Sequence, residues 1–331
     1  MDKIQIVSWL ATRRCNLKCS YCRISRNYKK RPLSYPDLKY YENHEMTTEN
    51  IIQTLKKLKL HNPNAFHIWY GGEIFLRTDL PDIINYCNRE GIHYTIITNN
   101  SDEIQPAIDN LILKTEYITG LTSSVDPIVV AGQSMNTDQY KKSIKALEKF
   151  TKLRNIIQDL VAEITVTKES VSSLYDLVKM LTDMGVNSDI TVVDIAKSDF
   201  YDFSNVTDKE ILVARSPEAY DVFHKIIEDK LNVHMAGVLL HEIYAILPSD
   251  LDCKIEDDIH NLTIDADGSI RLCLRIRGIY TPYNFDTKNF ILDDGKLHPG
   301  LRSSLARDKR FTCRNCNWTC MLMSRIVSKM E

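Results

Sequence analysis

Short, nearly continuous apolar runs alternate along this chain with stretches whose apolar positions recur every three or four residues. The runs at 4–10 (IQIVSWL), 66–70 (FHIWY), 93–98 (HYTIIT), 117–125 (YITGLTSSV), 160–167 (LVAEITVT) and 190–196 (ITVVDIA) read as strands. Their continuity suits parallel strands covered by helices. The segment 48–60 sets Ile51, Ile52, Leu55 and Leu58 on one stripe, with Thr47 or Thr48 as N-cap. Further helices are expected at 81–89, 104–114, 139–153 and 171–184, the last closing on a glycine cap at Met184-Gly185. Six β–α units at spacings of roughly 25–35 residues predict a parallel sheet or open barrel over the first ~200 residues. In such a fold the loops after the strands share one rim, where α/β enzymes keep their chemistry. Beyond about residue 198 the alternation breaks. Helices are expected at 217–231 and 235–246, then a hairpin in which Leu262, Ile264, Ile270 and Leu272 flank the turn dipeptide Asp267-Gly268. Residues 274–331 are loop-rich.

Length and composition narrow the class. A chain of 331 residues holds about two domains, or one large domain with an appendage. Its 44% hydrophobic and 26% charged residues are ordinary for a globular protein and exclude a disordered or low-complexity chain. No run of ~18 apolar residues argues for a membrane span. The N-terminus turns too polar after Leu10 for a signal peptide. The chain is therefore expected in the cytoplasm. The net charge of −2 argues against nucleic acid as partner.

The reducing compartment changes what nine cysteines mean, because clustered thiols there point to metal or redox chemistry. Cys15, Cys19 and Cys22 follow the first strand; Cys253, Cys273, Cys313, Cys316 and Cys320 lie in the last quarter. Cys87 stands alone beside Ile83 and Ile84 and reads as a core thiol. Three thiolates within eight residues can wrap one corner of a metal site. A 4Fe–4S cluster needs four ligands, so three from one loop leave one iron open. By themselves the three residues leave a zinc site possible.

The Cys15-x-x-x-Cys19-x-x-Cys22 spacing, with Tyr21 before the last cysteine, resembles the signature of radical S-adenosylmethionine (SAM) enzymes. Three more strand ends extend the resemblance. Tyr70-Gly71-Gly72-Glu73 is similar to the family's G-G-E-P motif, with Ile74 in place of proline. Thr98-Asn99-Asn100 resembles T-N-G, and Ser124-Val125-Asp126 resembles S-x-D. Asn tolerates left-handed backbone angles, so Asn100 is a mild departure, while Asp126 is equally suited to capping a turn. The resemblance covers roughly residues 4–200. It implies a partial (β/α)6 TIM-like barrel. It also implies that SAM chelates the open iron and that an electron from the cluster breaks its C–S bond. The resulting 5′-deoxyadenosyl radical then takes a substrate hydrogen atom. Tyr21, Gly71, Gly72, Glu73, Asn99 and Ser124 are the implied cofactor contacts, with Glu73 accepting from the SAM ammonium and the glycines allowing close backbone approach. No catalytic acid or base is singled out.

Cys253, Gly268 and Cys273 match the C-x(9–15)-G-x(4)-C opening of the auxiliary-cluster domains called SPASM and twitch. Five cysteines suffice for one fully ligated 4Fe–4S cluster with one spare, which fits the shorter twitch form. Cys253, Cys273, Cys313 and Cys316 are the first choice of ligands. Cys320 could replace one of them, act as a hydrogen-atom donor, or pack as a thiol. A structural zinc is the competing reading of this group. The expected organisation is therefore a core barrel at 1–200, a helical connector at 201–252 and a twitch-like domain at 253–331.

Basic residues surround both groups: Arg13, Arg14, Lys18, Arg23, Arg26, Lys29, Lys30 and Arg31 near the first, and Arg271, Arg275 and Arg277 beside Cys273. They predict either a solvated surface or attraction of an acidic substrate. The resemblance implies modification of a ribosomally made peptide, with an electron donor such as flavodoxin or ferredoxin. The motif's start at residue 15 leaves no room upstream for a leader-recognition domain, which weighs against that reading without removing it. The alternatives are a radical dehydrogenase or epimerase of sugars, aminoglycosides or nucleotides and, in another class, a non-catalytic zinc or iron–sulfur electron-transfer protein.

Overall fold

The computed structural model describes residues 4–17, 19, 38–125, 138–166, 170–192, 217–234 and 261–271. They form one open sheet built from β1 (Ile6–Thr12), β2 (Phe66–Gly71), β3 (Tyr94–Thr98), β4 (Ile118–Ser124), β5 (Ile157–Val166), β6 (Asn187–Val192), β7 (Asn261–Ile264) and β8 (Ile270–Arg271). The strand order is β6-β5-β4-β3-β2-β1-β7-β8. All pairings are parallel except β7 with β8. The sheet does not close, and the architecture is the expected partial barrel. The expected hairpin extends this sheet, with β7 parallel to β1 and Val7 opposite Leu262.

The helices are α1 (Leu38–His44), α2 (Thr48–His61), α3 (Leu80–Arg89), α4 (Gln105–Lys114), α5 (Asp138–Thr151), α6 (Leu174–Asp183) and α7 (Pro217–Glu228). Local chemistry sets their ends. Thr47 caps α2 by accepting from the Asn50 amide at 3.2 Å. Past α6, Gly185 takes φ +70°, Gly185 N bonds Thr182 O and Val186 N bonds Leu181 O, so the expected glycine cap is a full Schellman motif. Helix α1 was not expected. Strands β5 and β6 start three residues before their expected positions. β5 carries Gln158-Asp159 directly after its first residue Ile157, and β6 begins in Asn187-Ser188-Asp189; these polar residues hide the strand starts from a reading of apolar runs. The expected helix at 235–246 lies outside the described residues.

One face of the sheet is apolar and covered by helices. Val7, Trp9, Trp69, Tyr94, Ile96, Leu121, Leu160, Ile164 and Ile190 are all buried there. Trp9 and Trp69 stack with ring centroids 4.7 Å apart. Trp9 Nε1 donates to His67 Nδ1 at 2.9 Å, and burial pushes the His67 pKa down to about 3, so this histidine is a neutral core acceptor. Cys87 is buried in the same core, as expected, and burial pushes its thiol up to about 12. Strand alternation puts Ser8, Thr95, Thr122, Ser124, Glu163, Thr165, Asp189 and Thr191 on the opposite face. The polar residues of this sheet are thus concentrated on one side and at one rim.

Candidate functional site

Parallel pairing brings the C-terminal ends of β1 to β4 to one rim, and the motif residues of the first group follow those ends. The loop after β1 is placed by a bulge. Leu10 pairs with Tyr70 but Thr12 pairs with Gly71, so Ala11 is an extra residue on β1. Its carbonyl accepts from Arg77 Nη1 at 3.0 Å. The shifted chain then runs alongside the glycines, with Gly72 N bonding Thr12 O and Glu73 N bonding Arg14 O, both at 2.8 Å. A Cβ on Gly72 would stand 2.6 Å from the Arg14 carbonyl carbon and 2.9 Å from the Arg13 oxygen. A Cβ on Gly71 would overlap the Thr12 oxygen. Both positions therefore need glycine because the Thr12–Arg14 backbone passes so close. This packing is a reason for glycine beyond the close approach to a cofactor expected from the sequence.

Glu73 is 1% exposed, and its carboxylate is taken up by protein donors. Oε1 accepts from Phe75 N at 3.1 Å and Thr98 Oγ1 at 3.0 Å; Oε2 accepts from Asn99 N at 2.8 Å. Burial raises the Glu73 pKa, opposed by these three hydrogen bonds. The residue ties the end of β2 to the end of β3 and caps the 3₁₀ turn Ile74–Leu76. Ile74, the departure from G-G-E-P, takes the first position of that turn, where proline is favoured for its fixed φ rather than for any contact.

The next strand end repeats the arrangement. Asn100 adopts φ +53°, the left-handed angle expected of it. It is buried, donates to Ser123 Oγ at 3.0 Å and accepts from Gln105 Nε2. Asn99 faces the first loop. Its Nδ2 donates to Asn16 Oδ1 at 2.8 Å and lies 3.9 Å from Cys15 Sγ, which Leu17 N also approaches at 3.4 Å. Asn16 donates onward to Ser101 Oγ at 2.7 Å and Glu103 Oε2 at 3.1 Å. The cysteine loop is thereby stitched to the rim of β3.

The site has two layers. Cys15, Cys19, Gly71, Gly72, Asn99 and Ser124 are half-buried and can be touched from outside. Glu73, Thr98, Asn100 and Ser123 are buried behind them. The donor set fits an iron–sulfur group: soft thiols at the rim, with N–H groups aimed at the Cys15 sulfur, are what tunes such clusters. Among the described residues no three metal-binding side chains are grouped. Cys22 and Tyr21 lie outside the described residues, as do Cys253, Cys273, Cys313, Cys316 and Cys320.

Of the basic residues around the first cysteine group, Arg13 and Arg14 are among the described residues. Arg13 is buried against Asp265, and Arg14 pairs with Glu45 at 3.0 Å. These two cations are neutralised by acids distant in sequence, which a local count of charge misses. Register sets Ser124, Glu163 and Asp189 in one row across β4, β5 and β6 on the open face. That row is acidic. Burial raises the Asp189 pKa, with His234 opposing. The row had no signal in the sequence beyond single polar residues inside apolar runs.

Known proteins resemble this chain in two ways. The family described as the Radical SAM superfamily matches residues 9–195, more than half of the chain. Among curated proteins, Fe-coproporphyrin III synthase of Methanosarcina barkeri is 32% identical over 101 residues, 30% of this chain and 22% of that protein. A probable GTP 3′,8-cyclase of Methanococcus maripaludis is 31% identical over 133 residues, 40% of this chain and 37% of that protein. The matched segments thus span well under half of these relatives. Among solved structures, Streptococcus suis SuiB bound to S-adenosylmethionine shares the fold with a TM-score of 0.62 at 14% identity, covering 91% of this chain and 68% of that one. SuiB bound to its precursor peptide SuiA gives 0.63 at 13% identity, covering 92% of this chain and 67% of that one. The family match begins on β1, takes in the cysteine loop and every strand end described above, and ends past β6: this chain belongs to the radical SAM superfamily.

Proposed function

We propose that this chain reductively cleaves SAM and uses the radical to modify a peptide. The observation that carries the reading is the accessible layer of Cys15, Cys19, Gly71, Gly72, Asn99 and Ser124 at neighbouring strand ends. Bound to Cys15, Cys19 and Cys22, a 4Fe–4S cluster would supply the electron that splits the C–S bond of SAM and releases a hydrogen-abstracting 5′-deoxyadenosyl radical. The chain's own residues hold the geometry. Glu73 fixes the Asn99 amide, Asn99 and Asn16 fix the Cys15 loop, and the Thr12–Arg14 backbone fixes Gly71 and Gly72. Ser124, at the edge of the acidic row, offers a hydroxyl to a polar cofactor. A substrate group meeting Glu163 or Asp189 would be a cation or hydrogen-bond donor rather than a carboxylate.

The peptide assignment draws on the shared fold with SuiB, solved with a precursor peptide. The C-terminal cysteines then form a twitch-like auxiliary 4Fe–4S site, and a flavodoxin or ferredoxin of the cytoplasm supplies the electron. No helix among the described residues is long and apolar enough to cross a membrane. The second reading, a small-molecule radical enzyme, draws on the relatives named for coproporphyrin and GTP chemistry. Deuterium transfer separates the two. In the peptide reading, label from a deuterated precursor peptide enters 5′-deoxyadenosine. Label arriving from deuterated GTP, and none from the peptide, overturns it. Alanine at Cys15, Cys19 or Cys22 removes SAM cleavage, while alanine at Cys313 or Cys316 leaves part of it.

A further inference from the structure

The segment that leads into Cys15 is gripped from both sides. On the β2 side its backbone bonds Gly72 and Glu73. On the β7 side the grip is a side chain. Arg13 Nε donates to Asp265 Oδ1 at 3.0 Å and Arg13 Nη2 to Asp265 Oδ2 at 2.8 Å, a bidentate fork. The two side chains are 3% and 0% exposed. Asp265 begins the turn between β7 and β8. Its two oxygens also accept from Ala266 N at 2.8 Å and Tyr41 Oη at 3.3 Å, so each oxygen has two donors. The Tyr41 ring lies 4.5 Å from the guanidinium carbon and orients its plane. The turn is itself anchored, through Met46 N to Ala266 O at 2.7 Å.

A buried ion pair is a poor source of stability, because desolvating both charges offsets most of their attraction. What a bidentate, fully satisfied pair supplies is one fixed geometry. We propose that Asp265 is a positioning residue for the first cysteine group, acting through Arg13 to set the direction in which the chain leaves β1 at Cys15. The hairpin that carries Asp265 ends two residues before Cys273, so the same pair ties the path into the last cysteine group to the rim of the first. The inference rests on the radical SAM reading of Cys15 and is independent of the auxiliary site.

The test uses the full-length chain in three forms: parent, Asp265→Asn, and the double variant Arg13→Met/Asp265→Leu. The double variant removes both buried charges together and is expected to stay folded by thermal melting, at some loss of stability because Ala266 N and Tyr41 Oη lose this acceptor. In the iron-free protein, iodoacetamide labelling of Cys15, read by mass spectrometry, should quicken in both variants. After anaerobic loading with iron and sulfide, the reduced-cluster EPR signal and its response to SAM should shift in both. SAM cleavage should fall about 10- to 100-fold, as when support behind a metal ligand is removed. A double variant that folds and keeps the parental labelling rate and EPR signal overturns the proposal, since the pair would then be structural only. Loss of the fold in both variants also overturns it, by making the pair a folding determinant. A parent that loads no iron defeats the ligand reading of Cys15 instead, and the labelling arm still reads the pair.

Discussion

The two sides of the sheet solve different problems with the same strands. The helix-covered side is a continuous apolar layer in which Trp9, Trp69, Tyr94 and Leu121 share the load. The rim and open face are built from single-use polar contacts: Glu73 to the Asn99 amide, Asn16 to Ser101, Arg13 to Asp265. A change in the first should lower stability and leave site geometry alone. A change in the second should cost less stability and more chemistry.

The largest stability effect separates the sides most cleanly. Trp69→Ala is expected to cost about 3–5 kcal/mol through the cavity it leaves. In chemical denaturation the midpoint should drop, while SAM affinity per folded molecule stays at the parental value. Gly72→Ala tests the seam between the sides. Its Cβ has no room beside Arg14, so about 3 kcal/mol should be lost together with cluster loading, measured by denaturation and iron content. Glu73→Gln is smaller in stability, about 1–3 kcal/mol, because an amide NH₂ now faces an N–H donor. Its larger expected effect is on SAM binding, through the displaced Asn99; calorimetric titration of SAM reads it. At neutral pH the smallest effect belongs to His67. Its pKa is about 3 in the fold against 6.5 ordinarily, so the unfolded chain binds more protons in between. Its contribution to stability is complete above pH 6.5 and is lost as pH falls toward about 3. Melting temperature over that range should fall less steeply in His67→Gln, which keeps an acceptor for Trp9.

What could be read in the sequence follows the same division. The six β–α units of the barrel, the Thr47 cap, the glycine cap at Gly185, the left-handed Asn100 and the Asp267-Gly268 hairpin all leave local patterns. The contacts that set the rim do not. Arg13 and Asp265 are 252 residues apart, and nothing near either announces the other. The bulge at Ala11 has no periodic signature, and it is what brings Thr12–Arg14 against the two glycines. Glu73 was legible as a motif residue, yet its burial, and so its role as a tie between strands, depends on where β3 ends. Local charge counting marked Arg13 and Arg14 as part of a basic zone because their acidic partners come from other elements.

Radical chemistry here requires that Cys15 and its neighbours hold a redox-active cluster at the strand ends. The direct measurement is 5′-deoxyadenosine released from SAM under reduction, in anaerobically loaded parent and in Cys15→Ala, alongside iron and zinc content. The parent is expected to show broad visible absorbance, at least about four irons per chain, and SAM cleavage. Cys15→Ala should lose cleavage while keeping the parental fold. Zinc in place of iron, with no 5′-deoxyadenosine from the parent, would contradict it.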